Sequence, residues 1–267
     1  MFRGVEGVFR VSSQRERIRL NMWCVRIAGR ILFVLFFIGW VVLARFVPAP
    51  SPMQTSEQIV QRYHDNMHGI RLGATCMMIS VSFWAAWGAV VANWTRRSPG
   101  GGRVLAIIQI VSLTLSEMVG VLCSFLWGLA AYRPGDIAPD ITRTLNDAAW
   151  LMFLIPWPPF SMWCIALAVA VFRDKREGEV REFPRWTGYL SLLTAFLYVP
   201  AAASLFFKEG GYAYNGLLGM YLPLAIFFIW VEGVTWAMTR KLKDELAALD
   251  AADGSAHRAD DRIAADV

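Results

Sequence analysis

The stretch that decides the fold runs from Asn146 to Phe172, NDAAWLMFLIPWPPFSMWCIALAVAVF. After Asp147 it continues for 25 residues without a charge, enough to cross a ~30 Å hydrocarbon layer at ~1.5 Å per residue. Pro156, Pro158 and Pro159 fall inside it. A proline within a helix lacks the N–H that would bond the carbonyl four residues back, and its ring crowds that carbonyl. Three prolines in four positions therefore predict a span that bends or breaks partway across.

Working outward, apolar blocks of similar length lie on both sides. Toward the N-terminus they are Ile27–Val47, with an uncharged core Ile31–Ala44, then Leu72–Ala92 and Val104–Ala131; toward the C-terminus they are Trp186–Phe207 and Leu217–Met238. The chain is 56% hydrophobic and 18% charged, against about 25% charged in average soluble proteins. Apolar residues gathered in blocks suit lipid-crossing helices, whose backbone must satisfy its own hydrogen bonds. The expected fold is all-α, a polytopic membrane protein of six transmembrane helices. Three regions are expected: a basic N-terminal segment over residues 1–26, a six-helix domain over 27–239, and a charged tail over 240–267, helical at first and then disordered. The basic leader before the first span does not end in an A-x-A-like cleavage site, so that span is read as uncleaved.

Charge sets the expected orientation. With the N-terminus inside, the inner side collects seven Lys and Arg in residues 1–30, three in 94–103, five in 173–185 and five after 239; the outer side has six. The positive-inside rule then places both termini in the cytoplasm, with a bacterial inner or plasma membrane as the expected location. The net charge of +5 is accounted for by these span-flanking residues, which suit lipid headgroups and leave no reason to invoke nucleic acid. Cys24, Cys76, Cys123 and Cys164 lie in or beside apolar spans with no metal or redox spacing, and read as small apolar residues.

Candidate sites are polar groups that a membrane makes expensive. Glu117 falls near the middle of the third span, where a carboxylate should face other helices or water. Glu232 lies nearer the inner end of the sixth span and reads as a packing or interfacial residue. On the outer side, His64 and His68 stand four residues apart with Asp65 between them and Arg71 one turn on. On one helix face that spacing lets two imidazoles share a metal, so a divalent cation is the one cofactor the residues suggest. The string HDNMH is not the HExxH of zinc proteases.

The third candidate is the outer half of the bundle. Pro200, Pro223 and Pro156–Pro159 weaken three consecutive spans at similar depth, and Asn146, Asp147, Tyr212, Tyr214 and Asn215 crown the same side. Interrupted helices at membrane depth occur where they line a cavity or pack in protein. The expected ligand or proton site thus comprises Glu117, Asn146, Asp147, Pro156, Trp157, Tyr214 and Asn215. No Walker A loop, GxGxxG, GxSxG or haem-attachment motif occurs, and no span carries a histidine.

The function expected from these residues is binding or translocation of a small molecule or lipid through an outer cavity of helices 3–6. Two alternatives are a membrane enzyme with an outer metal site, and a subunit or assembly factor that packs against a membrane partner or a second copy.

Overall fold

A computed structural model describes residues 14–177 and 181–265, with side chains through Gly254. Among them the chain is helical throughout its ordered elements, without strands, and six helices are long and apolar enough to span a membrane. In chain order they are α1 (Gln14–Leu43), α3 (Met67–Arg97), α4 (Gly102–Ala130), the broken pair α5 (Pro139–Leu154) and α6 (Trp157–Arg173), α7 (Arg185–Leu205), and α8, whose crossing part is Leu217–Gly254. A short helix, α2 (Ser56–Asp65), lies between α1 and α3.

Each span overlaps its apolar block with shifted ends: every helix but α8 starts earlier, while α1 stops at Leu43, α4 at Ala130 and α7 at Leu205, short of the blocks. α1 starts before the expected Ile27 and includes two π-helical stretches, Cys24–Ala28 and Ile38–Leu43. α8 continues as helix to Ala265. Its extension packs Leu242, Leu246 and Leu249 toward Ile18 of α1, and Arg15 pairs with Asp250 and Asp253 at 2.8 and 2.6 Å. Residues 1–13 of the basic N-terminal segment lie outside the described residues.

α1 and α3 cross where Gly39 meets Gly73: a Cβ on Gly39 would come 2.7 Å from the Gly73 carbonyl oxygen. Small residues at such a crossing let two backbones approach, the usual route to helix packing in lipid. Two aromatic-rich cores fill the bundle. One, toward the α2 end, holds Trp40, Phe46, Tyr63, Trp127, Trp150 and Tyr214. The other, running toward the opposite end, is built on Trp84, Trp87, Trp94, Phe160, Trp163 and Trp230.

The outward face of α4 presents Ile107, Val111, Leu115, Met118, Leu122, Phe125 and Leu129, all exposed, at the three-and-four spacing of one helical stripe. The end opposite α2 is tied by Asp174. Its carboxylate is bonded by Arg176 at 2.6 Å and by the Ser98 hydroxyl at 3.0 Å. Lys241 of α8 and the Arg181 guanidinium donate to the carbonyls of Arg181 and Arg176 in the same connector.

The α2 end is tied by caps. Thr55 and Gln58 form a capping box at the start of α2. Asn66 donates from Nδ2 to the carbonyls of Leu43 and Ala44 at 2.9 and 3.1 Å, closing the C-terminus of α1. Arg71 donates to the carbonyls of Ala131 and Tyr132, closing that of α4.

Candidate functional site

The proline break forms as its chemistry requires. α5 ends at Leu154 and α6 starts at Trp157, with Pro156 at φ −73°, ψ 40° between them. The Trp157 N–H turns back to the Ile155 carbonyl at 2.7 Å, a three-residue turn around the proline. Because Pro156 and Pro158 carry no N–H and Trp157 spends its own on Ile155, the carbonyls of Met152, Phe153 and Leu154 receive no helical bond from four residues on. α7 loosens at similar depth into a 3-10 segment, Val199–Leu205, at Pro200. α8 opens with a π turn, Leu217–Tyr221, just before Pro223.

At these three irregular points the bundle holds a partly open cavity of about 140 Å³. Pro156, Trp157 and Phe160 line one wall, Tyr198 another, and Met220, Pro223 and Phe227 a third. α4 contributes Ser116, Val119 and Gly120, α3 contributes Trp84, and α1 contributes Phe33 and Phe36. None of the lining residues is charged. Trp84 is 7% exposed, and its indole N–H has no hydrogen-bond partner, as is true of Trp40, Trp94, Trp127, Trp150 and Trp163; those of Trp87 and Trp230 bond the hydroxyls of Thr235 and Ser191 at 2.8 Å.

Above the cavity, toward α2, lies a separate polar cluster. The Tyr63 hydroxyl donates to Asn146 Oδ1 at 3.2 Å, and Asn146 Nδ2 donates to Asp147 Oδ1 at 3.1 Å. Tyr214 is buried beside them, its hydroxyl without an aligned partner. Burial raises the pKa of Tyr63 above its ordinary value, with Tyr214 and Asp147 adding to it and Arg62 opposing. Burial and Asp147 raise that of Tyr214, against Asn146 and Arg62. Both phenols stay neutral across the biological range, so the cluster is a set of hydrogen-bonding groups, without a phenolate base.

An aromatic layer divides the two places. Tyr214 stacks on Trp150; Trp150 meets Trp127 and Trp40; these in turn meet Phe153, whose ring lines the cavity beside Phe36. The sequence-derived residues therefore separate. Pro156 and Trp157 line the cavity, whereas Asn146, Asp147 and Tyr214 form the cluster above it. Asn215 belongs to the loop that follows Tyr214 and does not line the cavity.

Glu117 does not line the cavity either, although its neighbour Ser116 does. It is half-buried on α4, with Oε1 lacking a partner. Glu232 is exposed.

The His pair is placed differently from the single-helix expectation. α2 stops at Asp65, Asn66 turns away at φ −129°, ψ 30°, and His68 belongs to α3. The two imidazoles thus start from different helices, because Asn66 is held by the end of α1. His64 is exposed, with Nδ1 4.0 Å from Asp65, and Gln61 bonds the Asp65 carboxylate. Among the described residues no group of three or more His, Cys, Asp or Glu is gathered with metal-binding geometry.

Sequence reasoning missed Tyr63, Trp84 and the contribution of α1. Tyr63 carried one signal: it stands four residues after Ile59, the spacing of a buried helix face. Trp84 carried none beyond its place in an apolar run.

Fold and site together define an all-helical chain with six membrane-length apolar helices around a charge-free cavity. No family model, curated protein or solved structure matches the chain.

Proposed function

We propose that the chain is a multi-pass membrane protein, with both termini on the cytoplasmic Arg- and Lys-rich side, that binds or translocates a small neutral molecule or the apolar part of a lipid through the cavity at the proline breaks. The observation that carries the reading is the coincidence of three interrupted spans and an uncharged cavity between them. Irregular backbone at membrane depth belongs around cavities.

Membrane embedding is supported by the exposed apolar stripe of α4, since soluble monomers rarely expose contiguous apolar patches beyond a few hundred Å². The volume is close to the ~150 Å³ of apolar cavities that hold a benzene-sized guest. The ligand is therefore ring-sized, or a larger molecule that inserts one such group. It is uncharged, because no lining residue can pair with a charge.

A direct test uses 4-fluoroacetophenone, an aromatic ketone of this size, with purified protein in lipid nanodiscs. Fluorine NMR should show a saturable bound signal beside the lipid-partitioned one. Val119→Phe, which fills the cavity, should remove it. A single partitioned signal, identical in wild type and Val119→Phe, would remove the basis of the proposal.

A further inference from the structure

A second concavity, of about 360 Å³, lies between α3 and α4 at the end opposite α2. Its walls are Ala89 and Ala92 on α3 and Ala106, Ile107, Ile110 and Val111 on α4; Asn93, Arg96 and Arg103 complete its lining. Arg96 Nη2 donates to Asn93 Oδ1 at 3.2 Å, which steadies the guanidinium on its helix. Neither Arg96 nor Arg103 forms an ion pair among the described residues, and no carboxylate lines the groove. Arg97, adjacent in sequence, instead lies over the Trp94 ring at 5.8 Å.

The groove is built before any ligand arrives. Behind it Gln109 Nε2 donates to Thr95 Oγ1 at 2.9 Å, both side chains fully buried. The Pro99–Gly102 connector is drawn so tight that Gly101 sits against the Thr95 carbonyl with no room for a Cβ. These ties fix the two helices, and with them the spacing of Arg96 and Arg103.

We propose that this groove binds one anionic phospholipid, with Arg96 and Arg103 taking the headgroup phosphate and the small-residue groove taking the start of an acyl chain. The proposal rests on the reading that α3 and α4 cross a bilayer with their connector at the headgroup level. Basic pockets between spans on the cytoplasmic side attract anionic lipids, and guanidinium donors match phosphate oxygens in pairs. Charge complementarity selects the headgroup, and the apolar walls select a lipid over a free phosphate ion.

Native mass spectrometry of the delipidated full chain, titrated with phosphatidylglycerol or phosphatidylcholine, reads the site directly. One phosphatidylglycerol should bind in preference to phosphatidylcholine by roughly thirtyfold, the scale of two basic side chains near a lipid surface. Arg96→Gln/Arg103→Gln should erase the preference, whereas Arg97→Gln, an equal change of charge per residue, should keep it. Melting temperature should hold in both variants because these side chains are exposed. Equal binding of the two lipids, an equal loss in Arg97→Gln, or displacement of phosphatidylglycerol by millimolar inorganic phosphate would each overturn the assignment. Failure of the bilayer reading itself would show separately, in the accessibility of cysteines placed at the two ends of the bundle.

Discussion

Tyr214 lies face to face on Trp150, with ring centroids 5.6 Å apart and planes 4° from parallel. The stack joins the 206–216 loop to the broken span and forms the lid of the aromatic layer. Trp150 is fully buried and touches Trp40, Phe46 and Trp127 as well. Trp150→Ala should therefore cost about 3–5 kcal/mol, read as a fall in melting temperature in nanodiscs. Trp150→Phe should recover most of it.

The two tyrosines of the polar cluster should respond differently to loss of their hydroxyls. Tyr63→Phe deletes a bond to Asn146 and leaves a buried acceptor short of a donor, a cost of about 1–2 kcal/mol. Tyr214→Phe removes a buried hydroxyl with no aligned partner, so stability should hold or rise. If both variants lose the same stability, the Tyr214 hydroxyl has a partner after all and the geometry given for the cluster is wrong.

The Asp174 clasp predicts a pH dependence. Bonding from Arg176 lowers the Asp174 pKa from 3.8 to about 2. A depressed carboxyl contributes stability that is present above its ordinary value and lost as pH falls through the folded one. Asp174→Asn should thus cost about 2 kcal/mol at neutral pH, with the gap to wild type closing between pH 3.8 and about 2. A gap that stays constant over that window would assign the effect to packing alone.

Orientation is checked by cysteine accessibility in a cysteine-free background. Glu177 and Asp136 are both exposed, in connectors at opposite ends of the bundle. With the Arg- and Lys-rich end in the cytoplasm, Glu177→Cys should react with an impermeant reagent only after lysis and Asp136→Cys in intact cells. The reverse pattern would invert the topology.

The spans and their breaks were legible in the sequence because both arise locally. An uncharged run of membrane length has few alternatives, and a proline removes its N–H whatever surrounds it. The divided site was not legible, because the layer between Tyr214 and Pro156 is made by Trp40, Trp127 and Phe153 from three different helices. The break at Asn66 was hidden for a related reason. Neither proline nor glycine marks that position; the residue leaves the helix to cap α1, 22 and 23 residues earlier in the chain. Glu117 read as a carboxylate that should face other helices or water, but depth along a span could not say which side of α4 the cavity occupies.

The prolines and Glu117 allow one final separation of roles. If the cavity exists because α5 and α6 cannot continue into one another, restoring their N–H groups should close it. Pro156→Ala alone leaves Pro158 and Pro159 in place, so the Leu154 and Ile155 carbonyls still lack their helical donors and little should change. Pro156→Ala/Pro158→Ala/Pro159→Ala supplies all three N–H groups, and the span should straighten. Helix content by circular dichroism should rise while the bound 4-fluoroacetophenone signal disappears. Glu117 supplies the control. It lies outside the cavity wall with an unpartnered buried oxygen, so Glu117→Leu should keep ligand binding and raise the melting temperature, because an uncompensated polar group is removed from an apolar setting. A triple alanine variant that folds and still binds the ketone would detach the cavity from the proline break. Loss of binding in Glu117→Leu at unchanged stability would restore Glu117 to the site.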